Sequence, residues 1–359
     1  MSKSLTHLPI RADWLSTTHE DPIDRDIPII DSHHHLYVRP DIRYLLEDYL
    51  TDIGDGHNVC ATVYVQARAM LRKNADPAHQ VLGETEFANG VAAMSASGLF
   101  GPTQVCAAIV GQADLTLGRN VAPILEQHIA LAGGAPSRGG RFKGIRQSLT
   151  WDANSALTNA VYPTSQYLME SPEFRAGYSQ LGHFGLHFEA WVFFHQLPQV
   201  AALARAFPDI PIVLNHCGGI VRIAQYESDI DAVFHQWRKG IIELSKYQNV
   251  SIKLSGLGMR LGGFEVERKP QAPNSQDLAQ AWSPWLDICI NAFGASRCMY
   301  GSNFPVDKGS YSYGIGINAL KRVIAHASHD EKEHILWRTA KHFYQLSDDV
   351  MQASPTSPN

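Results

Sequence analysis

The stretch PIIDSHHHL, residues 28–36, ends a short apolar run in three adjacent histidines, with an aspartate two residues before the first. Side chains alternate along an extended chain, so His33 and His35 point to one side and His34 to the other. An apolar run that finishes in polar side chains reads as a strand with a functional end, and the sequence downstream repeats that form. Runs rich in β-branched and aromatic residues recur at CATVYVQ (60–66), VCAAIVG (105–111), FKGIRQSL (142–149), GLHFEAWVFF (185–194), IPIVLNH (210–216), NVSIKLSG (249–256) and CMYGSN (298–303), which with the first makes eight. Between them lie stretches of helical periodicity: HQVLGETEFANGVAAMSAS (79–97), APILEQHIALA (122–132) and QVAALARAFP (199–208), with AHASHDEKEHILWRTAKHFYQL (325–346) closing the chain.

Alternating strands and helices specify an α/β protein with a parallel sheet, and eight such units suggest a (β/α)8 TIM barrel. An open doubly wound sheet is the alternative, but no GxGxxG follows the first strand and no P-loop is present. No Gly/Ser/Pro linker splits the chain, and GGAPSRGGR (133–141) reads as the loop into the fourth strand. The expected organisation is an N-terminal extension over residues 1–26, a single barrel domain over 27–347 and a disordered tail over 348–359. Neither end is expected to carry chemistry. The long segments 38–58 and 258–277 follow the first and seventh strands, and the second is expected to cover the mouth.

The 359 residues are 45% hydrophobic with a formal net charge of −5, enough to build a large core and without a basic stripe. Nucleic acid and anionic membrane are therefore not expected as partners, and a small-molecule substrate is. No secretory or membrane-spanning run is visible, so the expected location is cytoplasmic; a homo-oligomer stays open. Five scattered cysteines without a CxxC pair read as reduced core thiols.

In a barrel of this kind the chemistry sits where the strands end, and the polar residues gather there. His33 and His35 end the first run, and two imidazoles on one side can share a metal ion or clamp an anionic oxygen. The plain alternative is that one caps the strand and the other is solvated. His216 ends the sixth run; Arg146 lies in the fourth and matches a carboxylate bidentately. Glu189, Trp191 and His195 follow one another along the fifth, Lys253 lies in the seventh, and Asn303 and Asp307 follow the eighth. Each has a structural reading too: Arg146 and Lys253 as paired rim residues, Glu189 with His195, Gln66 bonded to a loop, Trp191 in the core with Phe193 and Phe194, and Glu86 as a solvated helix acid.

The order IIDSHHHL, GETEFANGVAAM, AAIVGQADL, RFKGIRQSL, VLNHCGG, IKLSG and GSNFPVD, running from residue 29 to 307, resembles the amidohydrolase superfamily. Within it the chain is similar to the amidohydrolase-2 branch that holds sugar lactonases and pyrone dicarboxylate lactonase. The resemblance implies a (β/α)8 barrel that hydrolyses esters, lactones or amides, with His33 and His35 binding metal or polarising the substrate carbonyl, His216 facing that carbonyl, and Arg146 binding a substrate carboxylate. Two positions depart from it. Asn303 stands where many of these hydrolases carry a proton-accepting aspartate, and an amide cannot take a proton at neutral pH. Gly219 stands where pyrone dicarboxylate lactonase carries an arginine.

The reading is thus a hydrolase opening a small lactone or related carboxylic ester. Metal ligands would be His33, His35 and His216, holding zinc or manganese, with a metal-free site as the other arrangement. Substrate contacts would come from Arg146, Gln66, Lys253 and Trp191, and the catalytic set is His216, Asp307, Asn303 and His195, with Asp307 nearest the missing base. The alternatives are a metal-dependent decarboxylase of the same superfamily, or a barrel that only binds a small acid.

Overall fold

The computed structural model describes residues 6–158 and 164–351. The eight expected runs all form strands: β1 Ile29–His34, β2 Val59–Val65, β3 Gln104–Gly111, β4 Phe142–Ser148, β5 His187–Trp191, β6 Ile212–Leu214, β7 Val250–Leu254 and β8 Cys298–Tyr300. They pair in chain order, every neighbour parallel. The ring closes just past β8, where the Asn303 N–H donates to the His33 carbonyl at 2.8 Å and the His35 N–H to the Phe304 carbonyl at 2.8 Å. Each strand is short and buried because both of its faces are covered, the inner by the opposite barrel wall and the outer by helices, and the charged residues within them, such as Glu189 and Lys253, are paired inside.

The helices are α1 Leu46–Ile53, α2 Leu82–Ala96, α3 Ala122–Leu131, α4 Pro172–His183, α5 Leu197–Ala206, α6 Ile230–Leu244, α7 Ser275–Phe293 and α8 Tyr313–Val323. Their starts are chemically marked. Ser171 caps α4 ahead of Pro172, and Asp229 and Asn274 cap α6 and α7, each accepting a first-turn N–H that the helix cannot satisfy. The periodic segment 325–346 starts helical at His329, where Ser328 and Glu331 form a capping box, and runs through a π turn at His334–Arg338 to Phe343. It brings Tyr344 against the barrel interior, where Ile30, Val63, Val110, Val213 and Met299 pack together.

Differences from the sequence reading lie at the ends. β5 stops at Trp191, so Phe194–Gln196 is a 3-10 turn and His195 is carried off the sheet. Asp348–Met351 is a 3-10 turn with Val350 buried, so these first residues of the expected disordered tail are ordered; 352–359 lie outside the described residues. The segment after β1 holds a hairpin, Tyr37–Arg39 with Ile42–Tyr44. No helix among the described residues is long and apolar enough to cross a membrane.

The leading segment docks along the loop that follows β7. Arg11 Nη2 donates to the Glu267 carbonyl at 2.6 Å, Trp14 Nε1 to the Lys269 carbonyl at 3.0 Å and Thr18 Oγ1 to the Ala272 carbonyl at 2.6 Å. Trp14 and Leu15 are buried with Ala272.

Candidate active site

A cavity of about 290 Å³ opens at the C-terminal ends of the strands. His35, Gln66, Arg146, Trp191, His216 and Asn303 line it, one from each of six strand ends. His33 and Lys253 are fully buried beneath that layer.

The first strand delivers its histidines as alternation requires. The His33 and His35 rings lie 4.9 Å apart, while His34 faces the other way, stacked 4.3 Å from Tyr49 and bonded through Nε2 to Thr62 Oγ1 at 2.9 Å. Asp31 fixes this turn from behind. Its carboxylate accepts from the His33 and Ser302 N–H groups at 3.1 and 2.8 Å and from the Tyr49 hydroxyl at 2.7 Å. Burial raises the Asp31 pKa, and the bonds from Ser302, Tyr49 and His33 pull against it.

Three imidazoles meet at the cavity floor, His33 standing 4.4 Å from His216 as well. His35 Nδ1 lies 2.7 Å from the Val65 carbonyl, which can only accept, so Nδ1 carries the proton and Nε2 keeps its lone pair. His216 Nδ1 lies 2.9 Å from Ser255 Oγ. His216 and Cys217 both occupy the left-handed region, at φ 52° and 50°, and Trp237 Nε1 holds the turn by donating to the Cys217 carbonyl at 2.7 Å. Such backbone costs about 1–3 kcal/mol per residue and persists only where surroundings enforce it. Gly256, at φ +73°, packs so closely that a Cβ there would meet His216 ring and Cβ atoms at 2.6 Å. Gly219, at φ +69°, lies against the Val192–Phe193 backbone with no room for a side chain.

His33 is flanked by two cations. Arg146 Nη1 sits 3.2 Å from its Nε2 and Lys253 Nζ 3.3 Å from its Nδ1. Arg146 is clamped reciprocally with Gln66: Nη2 donates to the Gln66 carbonyl, and Gln66 Nε2 to the Arg146 carbonyl at 3.1 Å. Lys253 donates to both Glu189 oxygens at 2.7 and 2.8 Å. Glu189 also accepts from Asn215 Nδ2 at 2.9 Å and the Tyr344 hydroxyl at 2.6 Å. Burial works to raise the Glu189 pKa, but Lys253 and His187 outweigh it and hold the group well below the usual carboxylate range. Burial brings Lys253 down to about 8 although Glu189 opposes the shift.

The same surroundings keep the histidines neutral. Burial, then the charge of Lys253, lowers His33 well below the usual imidazole value; burial, then Arg146, does so for His35 and His216.

Two of the residues expected to be catalytic lie elsewhere. His195 is outside the cavity lining, its Nε2 3.2 Å from Asp152, which the Tyr226 hydroxyl also reaches at 2.7 Å. Asp307 is fully buried behind Asn303. Its Oδ1 accepts from Asn303 Nδ2 at 2.7 Å, and its Oδ2 from the Gly258 N–H at 3.0 Å and the Tyr311 hydroxyl at 2.8 Å. Burial raises its pKa to about 7 against those bonds. It fixes the amide of Asn303, itself at φ 56°, rather than meeting anything in the cavity.

The expected metal set is His33, His35 and His216. The rings come together, but a neutral His33 has a single lone pair, and with Arg146 3.2 Å from Nε2 and Lys253 3.3 Å from Nδ1 that lone pair faces a cation on either nitrogen, leaving the Nε2 atoms of His35 and His216 where a catalytic zinc uses about three protein ligands. Among the described residues no group of three or more His, Cys, Asp or Glu side chains has donors placed to hold a metal ion. The donor set does not fit the group.

Several side chains at the site carry no signal in the sequence. Thr6, His7, Tyr37, Arg39, Ser148 and Thr150 line the cavity wall, the first two from the leading segment that was expected to carry no chemistry. Glu84, on α2, is buried and accepts from the Ala67 and Ala69 N–H groups at 2.6 and 3.1 Å and from the Tyr64 hydroxyl at 2.8 Å, holding the loop that bears Gln66.

The chain is similar to known proteins in sequence and in fold. The chain is 30% identical over 343 residues to the uncharacterized protein y4mH of Sinorhizobium fredii, covering 89% of this chain and 99% of that one. It is 27% identical over 328 residues to an L-fucono-1,5-lactonase of Burkholderia multivorans, covering 89% and 96%. A crystal structure of a Burkholderia multivorans amidohydrolase with bound zinc superposes with a TM-score of 0.67 at 25% identity, over 89% of this chain and 99% of that one. The amidohydrolase family model Amidohydro_2 matches residues 30–346, from the first strand to the closing helical segment, and the chain belongs to that family.

Proposed function

We propose that the protein hydrolyses a small lactone or related carboxylic ester, using side-chain cations and neutral imidazoles at the reacting carbonyl. The observation that carries this reading is the floor of the cavity: a base-competent His35 Nε2 beside His216, Arg146 and Asn303. The 27% identity to an L-fucono-1,5-lactonase supports the lactone class.

The Asn303 amide has its nitrogen committed to Asp307, so its oxygen is left to accept from a water and hold it over the floor. His35 Nε2 takes the proton of that water as its oxygen adds to the lactone carbonyl. His216, in the tautomer whose Nδ1 accepts from the Ser255 hydroxyl, presents Nε2–H to the oxygen that becomes anionic, and Arg146 adds a fixed positive charge. The tetrahedral intermediate then expels the ring oxygen, which takes the proton back from His35, and the product is a hydroxy acid. A depressed His35 pKa makes the ring a weak base in the empty site and a strong acid toward the leaving oxygen. The charge developing beside Arg146 offsets part of that depression during attack. Since the donor set does not fit a metal ion, no step is assigned to one.

The test is proton release on a lactone panel beginning with L-fucono-1,5-lactone, with wild type and His35→Asn. We expect turnover that survives exhaustive chelation and falls on the order of 10²–10⁴-fold in the variant, the usual contribution of a positioned base. Turnover that chelator abolishes and zinc restores, or an active His35→Asn protein, refutes the mechanism; no turnover of any lactone refutes the function.

A further inference from the structure

The cavity carries more positive charge than the reaction at its floor uses. Its described lining includes two arginines, Arg146 at the floor and Arg39 at the mouth, and no aspartate or glutamate. The chain as a whole carries a formal net charge of −5, so this is a positive well in an acidic protein. Fields of that kind concentrate anions where low-dielectric walls surround them.

Arg39 is held in a built setting. It ends the first strand of the hairpin after β1, with its Cζ 4.1 Å over the Tyr37 ring. Nη2 donates to the Ala67 carbonyl at 2.9 Å, and Nη1 reaches His7 Nε2 at 3.3 Å. The Tyr37 hydroxyl lies 2.8 Å from the same His7 nitrogen, and Thr6 Oγ1 2.9 Å from His7 Nδ1. His7 is in turn presented by the leading segment, which docks before and after it: the Arg260 N–H reaches the Thr6 carbonyl at 3.4 Å, and Leu8 packs on Gly309. Stacking on Tyr37 and the bond to the Ala67 carbonyl fix the guanidinium plane, with Nη1 sharing the single His7 Nε2 lone pair with the Tyr37 hydroxyl, so an arriving carboxylate meets a preorganised fork. Burial and the neighbouring Arg39 charge keep His7 neutral, with a pKa of about 4, so it bonds to the arginine without competing for the anion. The apolar part of the lining, Leu157, Trp191, Phe193, Met259, Leu261 and Val306, gives the carbon skeleton between the two ends a surface to pack on.

The geometry points to a substrate that carries a carboxylate remote from its reacting carbonyl, held at the mouth by Arg39, with His7 of the leading segment positioning that arginine. This inference deepens the lactone-hydrolase reading and rests on it for the reaction, but not for the binding site. Arg39 is specificity-determining; His7 acts through it.

Binding and turnover separate the two claims. Calorimetric titration of the full chain uses glutarate, with two carboxylates, and glutaramate, with one replaced by an amide. We expect glutarate to bind about tenfold or more tightly, the scale of a charge-assisted hydrogen bond that is partly solvated. Arg39→Met brings the two within about twofold, Arg39→Lys keeps part of the difference, and His7→Leu weakens glutarate about three- to tenfold. Melting temperatures check that each variant folds. The kinetic arm takes the kcat/KM ratio of 5-oxotetrahydrofuran-2-carboxylate over its carboxamide, with the same expected collapse in Arg39→Met. Equal binding of the two probes by wild type, or a preference that persists in Arg39→Met, overturns the inference. Lactone turnover without acid preference overturns it while leaving the proposed function standing. Glutarate preference lost in Arg39→Met, with no lactone hydrolysed, upholds the site and sinks the function.

Discussion

Replacing Lys253 by methionine tests whether the charge network under the cavity floor is what holds the histidines in place. Lys253 and Glu189 are both fully buried, and Lys253 Nζ lies 2.7 and 2.8 Å from the two carboxylate oxygens. Methionine keeps the unbranched stem and removes the ammonium, so Glu189 is left with Tyr344 and Asn215 as donors and with His187, 3.7 Å away, as the nearest imidazole for a compensating proton. Breaking a buried pair from one side costs about 3–5 kcal/mol, because the remaining ion keeps its desolvation penalty. The double variant Lys253→Met, Glu189→Gln removes the stranded charge and should regain most of that loss, since Tyr344 and Asn215 can still donate to the new amide oxygen. Urea denaturation of the four proteins gives the cycle, the midpoint reporting stability if the slope is unchanged. A coupling of about 2 kcal/mol or more is expected, on the large side for residues in contact. A single variant that loses under about 1 kcal/mol, or a double variant no more stable than Lys253→Met, refutes the reasoning and makes Lys253 a passive filler.

Gly256→Ala forces a Cβ to within 2.6 Å of His216 in a backbone at φ +73°, so we expect a stability loss of about 2–3 kcal/mol and a larger fall in turnover than in thermal midpoint. Unchanged kcat would mean that the His216 turn is not required in this geometry. Asp307 gives a pH signature. Its folded pKa, about 7, exceeds an unfolded value near 4, so its protonated form stabilises the fold fully below about pH 4, and that contribution is lost as pH rises through 7. Asp307→Asn removes this titration; the stability gap between wild type and variant should narrow from about pH 4 to about pH 8 in thermal scans. A gap that widens over that range has the wrong sign for a buried, uncompensated carboxyl.

The fold was legible because the strands of a parallel barrel are short and covered on both faces, a form that CATVYVQ and VCAAIVG state directly as near-continuous apolar runs. The ends were less so. GLHFEAWVFF reads as one strand to Phe194, but the chain leaves the sheet after Trp191, and nothing in an aromatic run marks where pairing stops. That difference moved His195 into the expected site. His33, His35, Arg146 and His216 were recoverable since strand ends converge in this fold whatever the loops do. Glu84 and Glu86 show the opposite case: two acids on one helix, alike in sequence, one buried beneath the Ala67 loop and the other paired with Arg72 at the surface. Helical phase alone does not say which face meets the β2 loop. His7 was invisible for a stronger reason, as its place in the cavity depends on the leading segment docking against residues some 250 positions away along the chain.

In the proposed metal-free reaction, what stands in for a metal ion follows from the charges of the site. A divalent ion would polarise a carbonyl most strongly where its ligands are anionic or neutral and its surroundings free of other cations. Here Arg146 and Lys253 already press on His33 from both nitrogens, and each added positive charge on that floor would be disfavoured by both. The guanidinium cannot lose its proton, so it offers an oxyanion a permanent charge without tying up a histidine as ligand. Asn303 fits the same logic. An aspartate at that position would add a negative charge to a cavity that holds Arg146, whereas an amide with its nitrogen anchored to Asp307 would, in the proposed reaction, orient water and leave the positive field intact for the transition state.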